Sequence, residues 1–335
     1  MIPVNTSFNP FPGLRPFRLD EDYLFFGREG QSEEILRRLR TRRFLAVVGI
    51  SGSGKSSLIR AGLLPYIFGG FMSGASSHWR VAVFRPGNNP IENMAHALSD
   101  PSVLGQAGSG ESDEAKSKIL LEVTLRRSGL GLIEATRQAQ LLENEHLLIV
   151  VDQFEELFRF GNATNAVHQQ DDAAAFVKLL FEATRQNALP IYIVITMRSD
   201  FIGDCSRFRD LPEAVTAGLY LIPRMSREQR RKAIEEPVRV GNGSISRRLI
   251  NRLLNDGGDD PDQLPSLQHA LMRSWNYWKA HGDEGQPIDL EDYLAVGGIS
   301  AALSQHAEEA FEELADERAR DCKAPVSVTN RERPG

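Results

Sequence analysis

FLAVVGISGSGKSS, residues 44–57, decides the fold. Its first part, 44–50, is a continuous apolar run rich in valine, the composition of a strand buried on both faces of a parallel sheet. The run leads into Gly49, then four residues, then Gly54, Lys55 and Ser56, which is the G-x-x-x-x-G-K-[ST] spacing. Gly49, Gly52 and Gly54, with the small Ser51 and Ser53, let successive backbone N–H groups turn inward around phosphate oxygens. Lys55 brings a point charge to the β- and γ-phosphates. Ser56 offers a hydroxyl to magnesium. LIRAGLL (58–64) continues a helix that begins near Lys55, takes in Ser57, and turns its positive end toward the same anion. A plain glycine-rich turn is the bland alternative, and the strand before it and helix after it weigh against that. The stretch therefore predicts a site for a nucleoside triphosphate, ATP, with Mg2+.

Such a site needs an acid at the end of a neighbouring strand, and LLIVVDQFEELF (147–158) supplies one. Asp152 follows an apolar run and emerges at the carboxyl edge of the sheet, where open α/β folds bind ligands. A carboxylate there holds magnesium, usually through water; a helix N-cap is the other reading, and the two roles coexist. Glu155 or Glu156, on the next turn, is placed to orient or activate the attacking water. The alternative is a pair of solvated acids that complement a helix start. In ITMRSDF (195–201), Thr196 and Arg198 end a further strand. Arg198 either touches the γ-phosphate or pairs at the surface with Asp200 or Asp204.

Strands are also predicted at 81–84 and 220–222, with helices at 29–40, 113–127, 131–143 and 172–187 between the strands. Strands alternating with helices predict an α/β fold with a parallel sheet. After residue 223 the strand-like runs stop and helical periodicity takes over, at 226–236, 246–255, 264–280, 289–295 and 301–319. The ring-rich start, FNPFPGLRPF (8–17), reads as an extended lead-in that packs by its aromatic side chains. The balance of 39 basic and 45 acidic residues, net −6, gives no bulk drive toward nucleic acid. Cys205 and Cys322 have neither disulfide nor metal spacing, and the apolar runs are too short to span a bilayer. The cytoplasm is the expected compartment.

Several segments together resemble the STAND class of signal-transduction NTPases, closest to the first subgroup of the novel STAND family. They are NPFPGLRPF (9–17), FFGRE (25–29), FLAVVG (44–49), WRVAVFRPG (79–87), VVDQFEELF (150–158), ITMRSDFIGDC (195–205) and LPSLQHAL (264–271). The resemblance implies a three-layer P-loop NTPase sheet of the ASCE/AAA+-like kind, followed by a small helical domain and an incomplete winged-helix segment. The implied boundaries are 1–223, 224–285 and 286–335. It further implies that Phe26, Gly27 and Arg28 line the adenine pocket, that Pro265 closes over the base, and that Arg198 is a sensor arginine. Related sites end their acid strand Asp-Gly-apolar-Asp-Glu; here Gln153 replaces the glycine, and Glu155 takes the second acid's place. The family's winged-helix histidine has no counterpart, since the context of His306 does not match.

The implied activity is a slow ATPase that works as a molecular switch, binding ATP or ADP and engaging protein partners or further copies of itself. No membrane partner is expected, and the family's effector and sensor domains fall outside this sequence. One rival is a DNA-binding AAA+-like ATPase, with short basic clusters at 230–232 and 247–248. Another is a scaffold that holds ATP without hydrolysing it.

Overall fold

The computed structural model describes residues 8–70, 78–105, 111–142, 144–159, 166–257, 264–282, 285–299, 301–302 and 304. The chain divides into two compact units, one of residues 15–237 with 259–264, the other of 1–14, 238–258 and 265–335.

The first unit is built on five strands, β1 (Phe44–Gly49), β2 (His78–Phe84), β3 (Glu145–Val151), β4 (Ile191–Arg198) and β5 (Leu219–Leu221). All neighbours pair parallel, in the order β2-β3-β4-β1-β5. Because successive side chains leave a strand on opposite faces, each apolar run feeds two cores. Leu45, Val47, Leu148, Val150 and Val194 face one side. There they meet Ile35 and Leu39 of α1 (Glu29–Thr41) and the helix after the loop. That helix runs as α2 (Lys55–Ser57), a π-helical stretch Leu58–Leu63, and α3 (Leu64–Phe68). Ala46, Val48, Ile149, Val151, Ile193 and Ile195 face the other side. They are covered by α4 (Pro90–Leu98), α5 (Glu111–Arg127), α6 (Gly131–Gln138), α8 (Ala166–Arg185) and α9 (Leu211–Ala217), while the short α7 (Glu156–Arg159) follows β3. Helices on both faces bury the strands as the apolar runs predict and make the three layers that the resemblance implies.

One expectation needs correcting. The acid's strand is not the immediate neighbour of the loop's strand, because β4 lies between β1 and β3. Strand order depends on which crossovers the packing favours, and hydrophobic periodicity does not encode it. At the opposite end of the sheet, the Trp79 ring packs against His146 (4.8 Å between centroids) and Tyr192 (5.1 Å). Burial, reinforced by the positive charge of Arg43, holds the His146 pKa below the usual imidazole value.

The first unit closes with most of α10 (Arg227–Val240), a helix that carries Pro237 in its interior. The second unit contains α11 (Arg247–Asp256), α12 (Leu264–His281) but for its first residue, and α13 (Leu290–Ala295). The lead-in is fastened to α12. Asn9 Nδ2 donates to Met272 O at 3.0 Å and to Asn276 Oδ1 at 2.8 Å, and Trp275 Nε1 donates to Phe8 O at 3.0 Å. Phe11 is buried as the aromatic composition predicts, although the Phe8 ring stays half exposed. Apart from 301–302 and 304, the predicted helix at 301–319 lies outside the described residues, as do His306 and the winged-helix residues beyond 304.

Ser246 caps α11, accepting from Leu249 N–H at 3.1 Å and donating to Asp289. Ser246→Ala should lower stability by about 1–2 kcal/mol, measured as a shift in the urea midpoint with an unchanged slope.

Candidate nucleotide site

The phosphate loop leaves β1 and re-enters helix at Lys55. Gly52 and Gly54 take left-handed backbone angles, φ 68° and 82°, which side-chain-bearing residues adopt only at a cost. A Cβ on Gly54 would meet nothing within 4 Å, so this part of the loop faces open space. A Cβ on Gly49 would come within 2.7 Å of Ser53 Oγ, so a side chain there would displace the hydroxyl inside the turn. Inside the turn, Ser53 Oγ donates to Ile50 O at 2.9 Å. Among the described residues, the N–H groups of Gly54, Lys55 and Ser56 have no backbone acceptor. This is a helix N-terminus open to an anion. Lys55 Nζ folds back onto Gly49 O (2.9 Å) and Ile50 O (2.7 Å). Its pKa is lowered, chiefly by burial and further by the charge of Arg198, while Glu155, Asp152 and Asp200 oppose the shift. Those groups belong to β3, β4 and their exits, so the three predicted segments converge on one spot.

Asp152, 1% exposed, is the centre of the acid side. Its Oδ1 accepts from Ser56 Oγ at 2.8 Å and from Thr196 Oγ1 at 2.7 Å. Its Oδ2 is buried without a hydrogen bond and faces the Arg60 guanidinium at 3.5 Å. These residues fit magnesium. A hydroxyl and a carboxylate are the hard oxygen donors that the ion prefers, and Oδ2 is a buried acceptor still to be satisfied. No cluster of three or more His, Cys, Asp or Glu suited to a metal occurs among the described residues.

The next residue explains the glycine of related sites. Gln153 sits at φ 59°, and its N–H donates to Thr196 Oγ1 at 2.9 Å. The turn separates the two glutamates. Glu155 is 4% exposed and accepts from Arg198 N–H at 3.3 Å. Glu156 instead accepts from Gly87 N–H at 3.0 Å, after β2. Arg198 pairs with Asp200, Nε at 3.0 Å and Nη2 at 2.6 Å, and lies over the Phe201 ring. Its surface pairing and its proximity to Lys55 are thus both present.

Phe26, Gly27 and Arg28 precede α1. Gly27 is left-handed, and a Cβ there would lie 2.4 Å from Gln229 O on α10. Arg28 is 4% exposed, and its guanidinium donates to Ser53 O (2.9 Å), Pro223 O (3.0 Å) and Gln31. Burial pulls its pKa down to about 10. The side chain therefore ties the loop's backbone to the exit of β5. Ser57 Oγ accepts from Phe17 N–H at 3.2 Å and so faces the lead-in. Pro265 lies on the first turn of α12, with the second unit.

A phosphate loop after β1, an intervening strand, and an acid on the strand beyond define a P-loop NTPase of AAA+-like fold. The chain belongs to the Novel STAND NTPase 1 family, a nucleotide-binding P-loop NTPase family whose sequence profile matches residues 10–326. Among solved structures, it is similar to domain III of the Thermotoga maritima replication initiation protein DnaA at 13% identity and TM-score 0.44, covering 80% of this chain and 88% of that one. A Walker-type ATPase of Pyrococcus abyssi is similar at 15% identity and TM-score 0.46, with 92% and 79% covered. The ORC2 protein of Aeropyrum pernix, solved as ADPNP and ADP complexes, is similar at 15% identity and TM-score 0.47, with 77% and 64% covered. Such likeness concerns the fold alone. No curated protein matches the chain. Among the described residues, no helix is long and apolar enough to cross a membrane.

Arg28→Met keeps the apolar stem but strands the buried carbonyl of Ser53 and the part-buried carbonyl of Pro223. It should cost about 2–3 kcal/mol in chemical denaturation. Gln153→Gly should have the opposite sign, adding about 1 kcal/mol by relieving a left-handed residue, seen as a higher thermal midpoint.

Proposed function

We propose that this protein is an ATP-binding switch that hydrolyses ATP slowly and changes its arrangement with the nucleotide held. One observation carries the reading: Ser56 and Thr196 share the same oxygen of a buried Asp152, beside a helix start whose amides lack backbone acceptors. The Ser56 proton is committed to Asp152, so its lone pairs are left to face a cation. Ser56 and Asp152 would hold magnesium, which when bound would offset phosphate charge. Lys55 would exchange the carbonyls of Gly49 and Ile50 for phosphate oxygens. The amides of Gly54, Lys55 and Ser56 would bind the same group.

Glu155 is the better base. Glu156 is drawn off to Gly87 N–H, whereas Glu155 is buried and close enough to Lys55 to act on its charge. Arg198 would respond to the γ-phosphate by leaving Asp200. A ligand shifts a conformational equilibrium only by its differential affinity for the two states, and Arg198 and Lys55 are the groups whose contacts differ between ATP and ADP. Loss of the γ-phosphate would reset the switch. Fast turnover is not required. A surface exposed in the ATP form would recruit protein partners or further copies of the chain. Phe26, Gly27 and Arg28 are proposed to border the base, with the Arg28 guanidinium acting through the loop backbone.

Lys55→Ala should abolish ATP binding in titration calorimetry with magnesium; retained micromolar binding would remove the loop from the account. Glu155→Gln should keep binding and slow single-turnover phosphate release by about tenfold or more. If only Glu156→Gln slows release, the base is one residue further on.

A further inference from the structure

Arg60 carries none of the roles assigned to the site, yet among the described residues its charge is the one that pairs with the buried carboxylate. It lies one turn after Ser56, in the π-helical stretch Leu58–Leu63, and is half-buried. Its Nη2 stands 3.5 Å from Asp152 Oδ2, and its Nε is buried without a hydrogen bond. The two hydroxyl donors of the carboxylate are both spent on Oδ1. Two neutral hydroxyls on one oxygen do not offset a full buried charge, nor do they fix the rotation that aims the second oxygen.

We infer that Arg60 is a positioning residue for magnesium, balancing the charge of Asp152 and holding Oδ2 in the orientation from which the carboxylate meets the ion. The inference rests on the reading of Asp152 as the magnesium acid. The guanidinium reaches Oδ2 without a hydrogen bond, so the pair orients the carboxylate without saturating it. Ser56 and Arg60 lie four residues apart along one helix and meet the two oxygens of one side chain. The helix that carries the phosphate loop therefore also sets the acid's geometry. Partners of this kind around a metal ligand typically govern metal affinity by tenfold or more.

The test is ATP binding to the full chain with magnesium and with EDTA, for the native protein, Arg60→Met, Arg60→Lys and Asp152→Asn. Unfolding midpoints confirm that each variant folds. We expect Arg60→Met to raise the magnesium concentration for half-maximal enhancement of ATP binding by about tenfold, with affinity in EDTA changed by less than about threefold. Arg60→Lys should restore most of the difference, which a purely space-filling role would not produce. A native magnesium requirement in Arg60→Met, or equal losses with magnesium and with EDTA, overturns the assignment of Arg60. If the native protein shows no magnesium effect and Asp152→Asn matches it, the reading of Asp152 fails instead. Should Arg60→Met fail to fold, Arg60→Gln takes its place, and a native magnesium requirement in Arg60→Gln, with Asp152→Asn still impaired, also overturns it.

Discussion

Everything at this site depends on how a buried carboxylate is kept tolerable. Asp152 is removed from water, so its charge must be met by donors from the protein. They come from distant parts of the chain: Ser56 is 96 residues away and Thr196 is 44. Meeting that demand fixes the loop helix, β3 and β4 to one another. The placement of β4 makes this possible. A strand between β1 and β3 brings a threonine hydroxyl level with the acid, which direct pairing of β1 with β3 would not.

The same threonine organises the turn that follows. Thr196 donates to Asp152 through its hydroxyl hydrogen and accepts from Gln153 N–H, while its carbonyl accepts from Phe154 N–H at 2.8 Å. The chain after the acid is thereby clamped onto β4 over three consecutive residues. The left-handed Gln153 is the geometric cost of that clamp, and its result is that two adjacent glutamates point to different neighbours. Backbone shape alone distinguishes them, since their side chains are identical.

Much of this was legible in the sequence. The apolar runs 44–50 and 147–151 gave buried strands, and the residue after each run had to emerge at the sheet edge. The place of Asp152 follows from that, and Lys55 and Ser56 are picked out by the glycine spacing that follows the first run. The meeting of Ser56 with Asp152 follows only once strand order is known, and alternation of apolar residues is silent on order. Arg28 shows the other limit. Its place beside FFG suggested a role at the base; that its guanidinium holds the carbonyls of Ser53 and Pro223 is something no local pattern signals. Arg60 left a weak trace, an arginine one turn after the phosphate loop on an otherwise apolar helix. A surface cation would leave the same trace. Gln153 is the reverse case: its departure from the related glycine was visible, and the positive φ supplies the reason.

The aromatic trio at the far end of the sheet gives the molecule a built-in optical probe. The sequence holds three tryptophans, and Trp79 is the one in the phosphate-loop unit, since Trp275 and Trp278 belong to the other. It sits near the amino end of β2, at the sheet margin, whereas the loop leaves the carboxyl end of β1. Emission from this indole is therefore shaded by an imidazole and a phenol. A change in its intensity on adding ligand would report a shift of the imidazole and phenol that flank it.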